Sequence, residues 1–159
     1  MTRSTVLAAL AAAFLAAIAG VVPAQTQSRF TVSADGQEVI DSTSRLVWRR
    51  CAEGARFDGR ACAGKATRYS YAGAKKVASG GWRVPTREEL GGLLDRGAKK
   101  KPRIVDAAVF PQTPSTGFWA SKPGSDDDLN AWVVNFSNGQ TRANLGQAKF
   151  PLRLVRAAG

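Results

Sequence analysis

The sequence predicts an α+β domain in which two helices pack on a twisted antiparallel sheet. Three observations carry this. Short runs of alternating apolar and polar residues open and close the chain, from Arg29 to Ser33 and from Phe150 to Arg156. Two stretches with apolar residues at helical spacing, 70–79 and 86–95, lie between them. Ser137-Asn138-Gly139 sits between two further alternating runs, and Asn-Gly is a strong hairpin signal.

Residues 1–24 read as a signal peptide. Arg3 gives a positive start, Val6 to Val22 is almost wholly apolar, and Val22-Pro23-Ala24 offers small residues for cleavage before Gln25. A retained membrane anchor is the rival reading, since the length of the run permits it. Residues 25–159 then form one domain, long enough to close a single core. The whole chain carries 23 Lys+Arg against 12 Asp+Glu, a net charge of +11. Removing Arg3 with the signal leaves 22 against 12, a surplus of +10. Such a surface favours anionic partners, or simply keeps the protein soluble. An exported chain meets acidic polysaccharide or an envelope protein rather than nucleic acid, and it meets the membrane only through the uncleaved signal.

Arg29-Phe30-Thr31-Val32-Ser33 is read as a strand, Asp35-Gly36 as a turn, and Glu38–Asp41 and Arg45–Arg49 as the next strand segments. Trp48 shares a face with Leu46 and is assigned to the core. Cys51 and Cys62 most simply form one disulfide in an oxidising compartment, and the other option is a reactive thiol. The Gly, Ala and charged residues between them, including Arg56 and Arg60, suit a surface loop pinned at its base.

Tyr71, Ala74, Val77 and Ala78 mark a first helix, ended by Gly80. In Gly80-Gly81-Trp82-Arg83-Val84-Pro85-Thr86-Arg87-Glu88-Glu89-Leu90, the glycines permit a turn and Trp82 brings a large ring. Pro85 stops a helix, and Thr86 with Glu89 has capping-box spacing. A second helix is expected from Thr86 to Asp95, with Gly91 and Gly92 inside it explained by close packing. Lys99-Lys100-Lys101-Pro102-Arg103 is the densest basic run, either a landing site for an anionic polymer or a solvated loop. Gly117-Phe118-Trp119-Ala120-Ser121 is a short strand. Asp126, Asp127 and Asp128 offer oxygens to a cation such as calcium, but the run lacks the alternation of a calcium loop, and a solvated loop is the plainer reading. Trp132, Val134 and Phe136 share a face and are expected to be buried. The closing strand alternates Leu152 and Leu154 with an outward Arg153.

The landmark at 80–90 resembles the WRLPT-type signature of the Lcl C-terminal domain family, with Val84 replacing its usual leucine. The opening Phe30, Asp35-Gly36, Val39, Asp41 and Leu46-Val47-Trp48, the segment Phe118-Trp119-Ala120-Ser121, and the closing Leu154-Val155-Arg156 are similar to that family too. The resemblance implies a bacterial extracytoplasmic domain with a C-type-lectin-like fold and terminal strands near each other. Some members bind sulphated glycosaminoglycans.

The chain has no His, which removes the Ser-His and Cys-His couples, and no Gly-rich phosphate loop follows a strand. The sequence is therefore read as non-catalytic, with no cofactor and no metal. Two functions stand: a binding module for acidic glycans through Lys99, Lys100, Lys101 and Arg103, with Arg56 and Arg60 as secondary contacts, or an envelope protein-interaction module. Both expect Trp119, Tyr69 or Tyr71 at the surface to some degree.

Overall fold

A computed structural model describes residues 28–95, 105–121, 131–144 and 147–159. The signal segment, the Lys99–Arg103 run and the Asp126–Asp128 loop lie outside the described residues. In chain order the elements are β1 (Phe30–Val32), β2 (Glu38–Asp41), β3 (Leu46–Arg49), β4 (Ala55–Phe57), β5 (Cys62–Gly64) and β6 (Arg68–Tyr69). Then come α1 (Tyr71–Val77), α2 (Arg87–Gly91), β7 (Gly117–Ser121), β8 (Ala131–Asn135), β9 (Thr141–Ala143), β10 (Phe150–Pro151) and β11 (Val155–Ala157).

The strands build four small antiparallel sheets among the described residues: β1-β2-β3-β11, β7-β8-β9, and the pairs β4-β5 and β10-β6. This corrects the expected lectin-like plan of two helices packed on one twisted sheet. The described residues are mostly β, and the two helices among them have only 7 and 5 residues. The strands β1 and β11 do share a sheet, as its two edges with β2 and β3 between them.

Two local misreadings account for much of the difference. The second helix ends at Gly91 rather than Asp95, with Gly92 as its C-cap. A Cβ at Gly91 would meet nothing within 4 Å, so close packing is not the reason for that glycine. The Gly91-Gly92 pair lowers helix propensity where the helix has no further turn to gain. The segment between the cysteines is a hairpin rather than a loop, with Phe57 paired to Cys62 and Arg56 to Ala63. Its alanines and glycines carry too little hydrophobic contrast to display a strand period.

The expectations for the first strands hold, and Asp41 shows why. Its carboxylate is fully buried and accepts from Arg29 Nε at 2.9 Å and Nη2 at 2.6 Å, and from the backbone N–H of Thr43 and Ser44. That single side chain fastens β1's approach and turns β2 into β3. Burial pulls the Asp41 carboxyl upward, but Arg29 and the turn donors outweigh it and leave it below the ordinary carboxylate value.

The landmark stretch joins the two larger sheets. Arg83 exchanges backbone hydrogen bonds with Val155 on the β11 side, and Ser121 N–H donates to Pro85 O on the β7 side. Thr86 caps α2 as expected: Glu89 N–H donates to Thr86 Oγ1 at 3.2 Å, and Thr86 N–H donates to Glu89 Oε2 at 2.8 Å. Glu89 also receives both arms of Arg83, each at 2.7 Å. Glu89 thus serves the cap and the chain leading into it.

Strand β7 lies between two cores. Phe118 stacks on Phe136 with ring centroids 4.8 Å apart, in the cluster that holds Val39, Trp48, Leu90, Phe110 and Val155. Trp119 points the other way, edge-on to Tyr71 and Phe150, among Ala74, Val133, Leu152 and Leu154. Its Nε1–H donates to Tyr69 O at 2.7 Å. Strands covered on both faces lose the apolar-polar alternation, which is why Val133 and Val134 are both buried. Gly117 has a steric cause, since a Cβ there would lie 2.3 Å from Val133 Cγ1.

Candidate functional site

Period two places Val39, Leu46, Trp48 and Val155 of the first sheet toward the core, and Glu38, Ile40, Val47, Arg49 and Arg156 on the opposite face. Register sets the outer group side by side, with Glu38 across from Arg49, and Val47 between Ile40 and Arg156. Arg156 Nη2 donates to Glu38 Oε2 at 2.7 Å, and Arg49 Nη1 lies 3.8 Å from Glu38 Oε1. One carboxylate therefore serves two guanidinium groups through different oxygens.

Trp82 completes this face. Gly80 and Gly81 take φ of 59° and 82°, which brings the chain round without strain. The Arg83–Val155 pair then holds Trp82 beside Arg156. The half-buried indole has the Arg49 guanidinium 4.1 Å and the Arg156 guanidinium 5.1 Å from its ring centroid. The two arginines keep 38% and 36% of their side-chain surface in solvent. Two partly exposed guanidinium groups held at a half-buried indole present two donor forks for an acid beside an aromatic ring. Ile40, 41% exposed, adds an apolar spot on the same face.

Arg56 and Arg60 are both exposed on the disulfide-pinned β4–β5 hairpin. That hairpin is docked by Gln37, which donates to Phe57 O at 2.8 Å, and by Arg50, whose guanidinium sits 3.9 Å from the Phe57 ring centroid. Cys51 and Cys62 form the expected bridge. Trp48 and Trp119 are buried as core residues. Burial of Trp119 and Tyr71 removes them from any docking surface, contrary to expectation. Trp132 is half-buried rather than buried and carries the Arg87 guanidinium 4.1 Å from its ring centroid. A cleft of about 210 Å³ beside the disulfide is lined by Ala52, Ala55, Cys62, Gly64, Ala66, Gln112 and Pro114, none of them charged.

Arg153 departs furthest from the sequence reading. Expected outward, it is fully buried. The final strand is interrupted at 152–154, between β10 and β11, so alternation does not govern that position. Nη1 donates to Arg49 O at 2.7 Å and to Arg50 O, and Nη2 donates to Thr113 Oγ1 at 2.7 Å. Thr113 passes the network on to Phe110 O, and the Phe110 ring lies against the guanidinium at 4.7 Å. Burial lowers the Arg153 pKa to about 9, with Glu53 opposing, so the group is a cation at neutral pH.

Burial raises the Glu53 carboxyl above its ordinary 4.5, against weaker downward pulls from Arg49 and Arg153. The folded state then holds the proton more tightly than the unfolded chain. The associated stability is complete below the ordinary value and is lost as pH rises through the raised one. Glu53→Gln is accordingly expected to raise the melting temperature by a few degrees at pH 7, with the difference shrinking toward pH 4. Thermal unfolding at the two pH values reads this directly.

No curated protein and no solved structure gives a match. A family model described as the Lcl C-terminal domain matches residues 37–156. The match takes in the buried Asp41, the Trp82–Glu89 capping stretch and the closing Val155-Arg156, the parts that tie the sheets together and build the Trp82 face. With most of its length and these ties inside the match, the chain belongs to the Lcl C-terminal domain family.

Proposed function

We propose that the protein is an exported, non-catalytic binding module that takes acidic glycans on a basic, aromatic surface, in the periplasm or outside the cell. The observation that supports it most is Trp82 flanked by Arg49 and Arg156 on an exposed sheet face. A pyranose presents a C–H face that packs on an indole, and its sulphate or carboxylate suits a guanidinium fork. The surplus of 22 Lys+Arg over 12 Asp+Glu in residues 25–159, a net +10, adds long-range attraction for such a polymer. The Cys51–Cys62 bridge fits an oxidising compartment. Lys99, Lys100, Lys101 and Arg103 remain in the proposal from sequence, and Arg56 and Arg60 as exposed secondary cations.

The test is binding of residues 25–159 to heparin, as a sulphated glycan, and to non-sulphated glycans across a salt series. Saturable binding that weakens with salt is expected. Arg49→Ala with Arg156→Ala should weaken it by about tenfold or more. The quadruple change of Lys99, Lys100, Lys101 and Arg103 to Ala measures the share of the basic run. Absence of binding at low salt would sink the glycan reading. The second reading, an envelope protein-interaction module, is supported by exposed Ile40 in the middle of the same face.

A further inference from the structure

We infer that the Arg49–Arg156 pair is an anion subsite whose place is held, in the free protein, by the protein's own Glu38 carboxylate. The acidic group of an incoming ligand takes over that place. The inference rests on the acidic-glycan reading for the identity of the ligand, while the subsite itself rests on the geometry of the face. Glu38 reaches Arg156 through one oxygen and Arg49 through the other, as a bound acid would. Both guanidinium groups lie at the Trp82 ring, so an acid seated there brings whatever ring carries it against the indole. The ligand class is thus a sugar ring bearing one carboxylate or sulphate.

The charges around this point favour the exchange. Two cations face one carboxylate at 2.7 Å and 3.8 Å, which leaves a positive surplus at the fork. A further acid that acts on Arg49, Glu53, also interacts with Arg153, and burial disfavours its charged form. Arg83 is occupied by both oxygens of Glu89 and neither adds to nor competes for the fork. Glu38 sits on a strand whose backbone is fixed by neighbours on both sides, so its side chain can swing away while the sheet stays paired.

The experiment compares the parent, Glu38→Gln and Glu88→Gln. Glu88 is an exposed acid bound to Arg87 on α2, so its variant has the same change in net charge away from the fork. Heparin, polygalacturonate and dextran separate sulphate, carboxylate and neutral sugar. Inorganic sulphate, followed by NMR at the Trp82 indole N–H and the Arg49 and Arg156 Nε–H signals, probes the subsite without any sugar. Glu38→Gln should bind the acidic polymers about two- to fivefold more tightly than the parent, the size expected for releasing an exposed ion pair. The sulphate midpoint should fall with it, and Glu88→Gln should match the parent. Glu38→Thr, a strand-compatible change, repeats the measurement should glutamine disturb the sheet. Unchanged or weaker binding in both Glu38 variants overturns the inference, as does equal tightening by Glu88→Gln or binding that leaves the three signals unmoved. If no polymer binds any form while sulphate still moves these signals more readily in Glu38→Gln, the subsite stands and the glycan reading falls.

Discussion

Replacing Arg153 with alanine is expected to cost about 3–5 kcal/mol, the range for breaking a buried charged network, and to leave the domain unfolded or nearly so at 37 °C. The guanidinium satisfies the carbonyls of Arg49 and Arg50 and the hydroxyl of Thr113. Removal strands those acceptors and opens a space beside Phe110. Arg153→Met separates the two contributions. It keeps much of the packing and should cost about 1–3 kcal/mol, the penalty for polar groups left unpaired. Arg153→Lys should fall between them, because an ammonium is a point donor and cannot reach both sides of the fork. Urea unfolding of the three variants tests the order, and a loss below about 1 kcal/mol for alanine would show that the network is dispensable.

The second large effect concerns the Cys51–Cys62 bridge. Changing both cysteines to alanine should lower stability by about 3 kcal/mol in the chain-entropy account, with a drop in melting temperature of roughly 10 °C. The separation of 11 residues makes the closed loop short. Opposite Cys62, Phe57 is held to the rest of the protein by Gln37 and by Arg50, and at the base of the hairpin Thr67 N–H donates to Glu53 O. Proteolysis should therefore find the 55–64 hairpin in the reduced protein before it finds the core. A melting temperature indifferent to reductant would show that the hairpin is held by those contacts alone.

Where a residue's role depends on its immediate neighbours, the sequence was informative. Thr86 and Glu89 cap a helix through groups three residues apart, and Asp35-Gly36 turns a chain within itself. Trp48 was legible because Leu46 beside it repeats the core period. The Trp82 face was not, because Arg49, Arg156 and Glu38 come from three strands and meet only through register. The nearest signal was the alternation that sets Arg49 against Trp48 and Arg156 against Val155. Arg153 was misplaced by the same rule that succeeded elsewhere, since its strand breaks at that residue and a cation in an alternating run carries no mark of its buried acceptors. Helix α2 was drawn too long because Leu93 and Leu94 continue the apolar spacing after the backbone has left the helix.

The network around Arg153 also bears on when this protein can become itself. Arg153 donates to a carbonyl 104 positions earlier in the chain, and β11 lays itself against β3 from the far end of the sequence. The first sheet cannot be completed, nor Arg153 reach the Arg49 and Arg50 carbonyls, until the chain has been synthesised through β11. Long-range closure of this kind slows folding relative to local pairing. A growing chain with this topology holds its first sheet open until β11 returns to β3, while the β4-β5 hairpin and the β7-β8-β9 sheet need no strand that comes later.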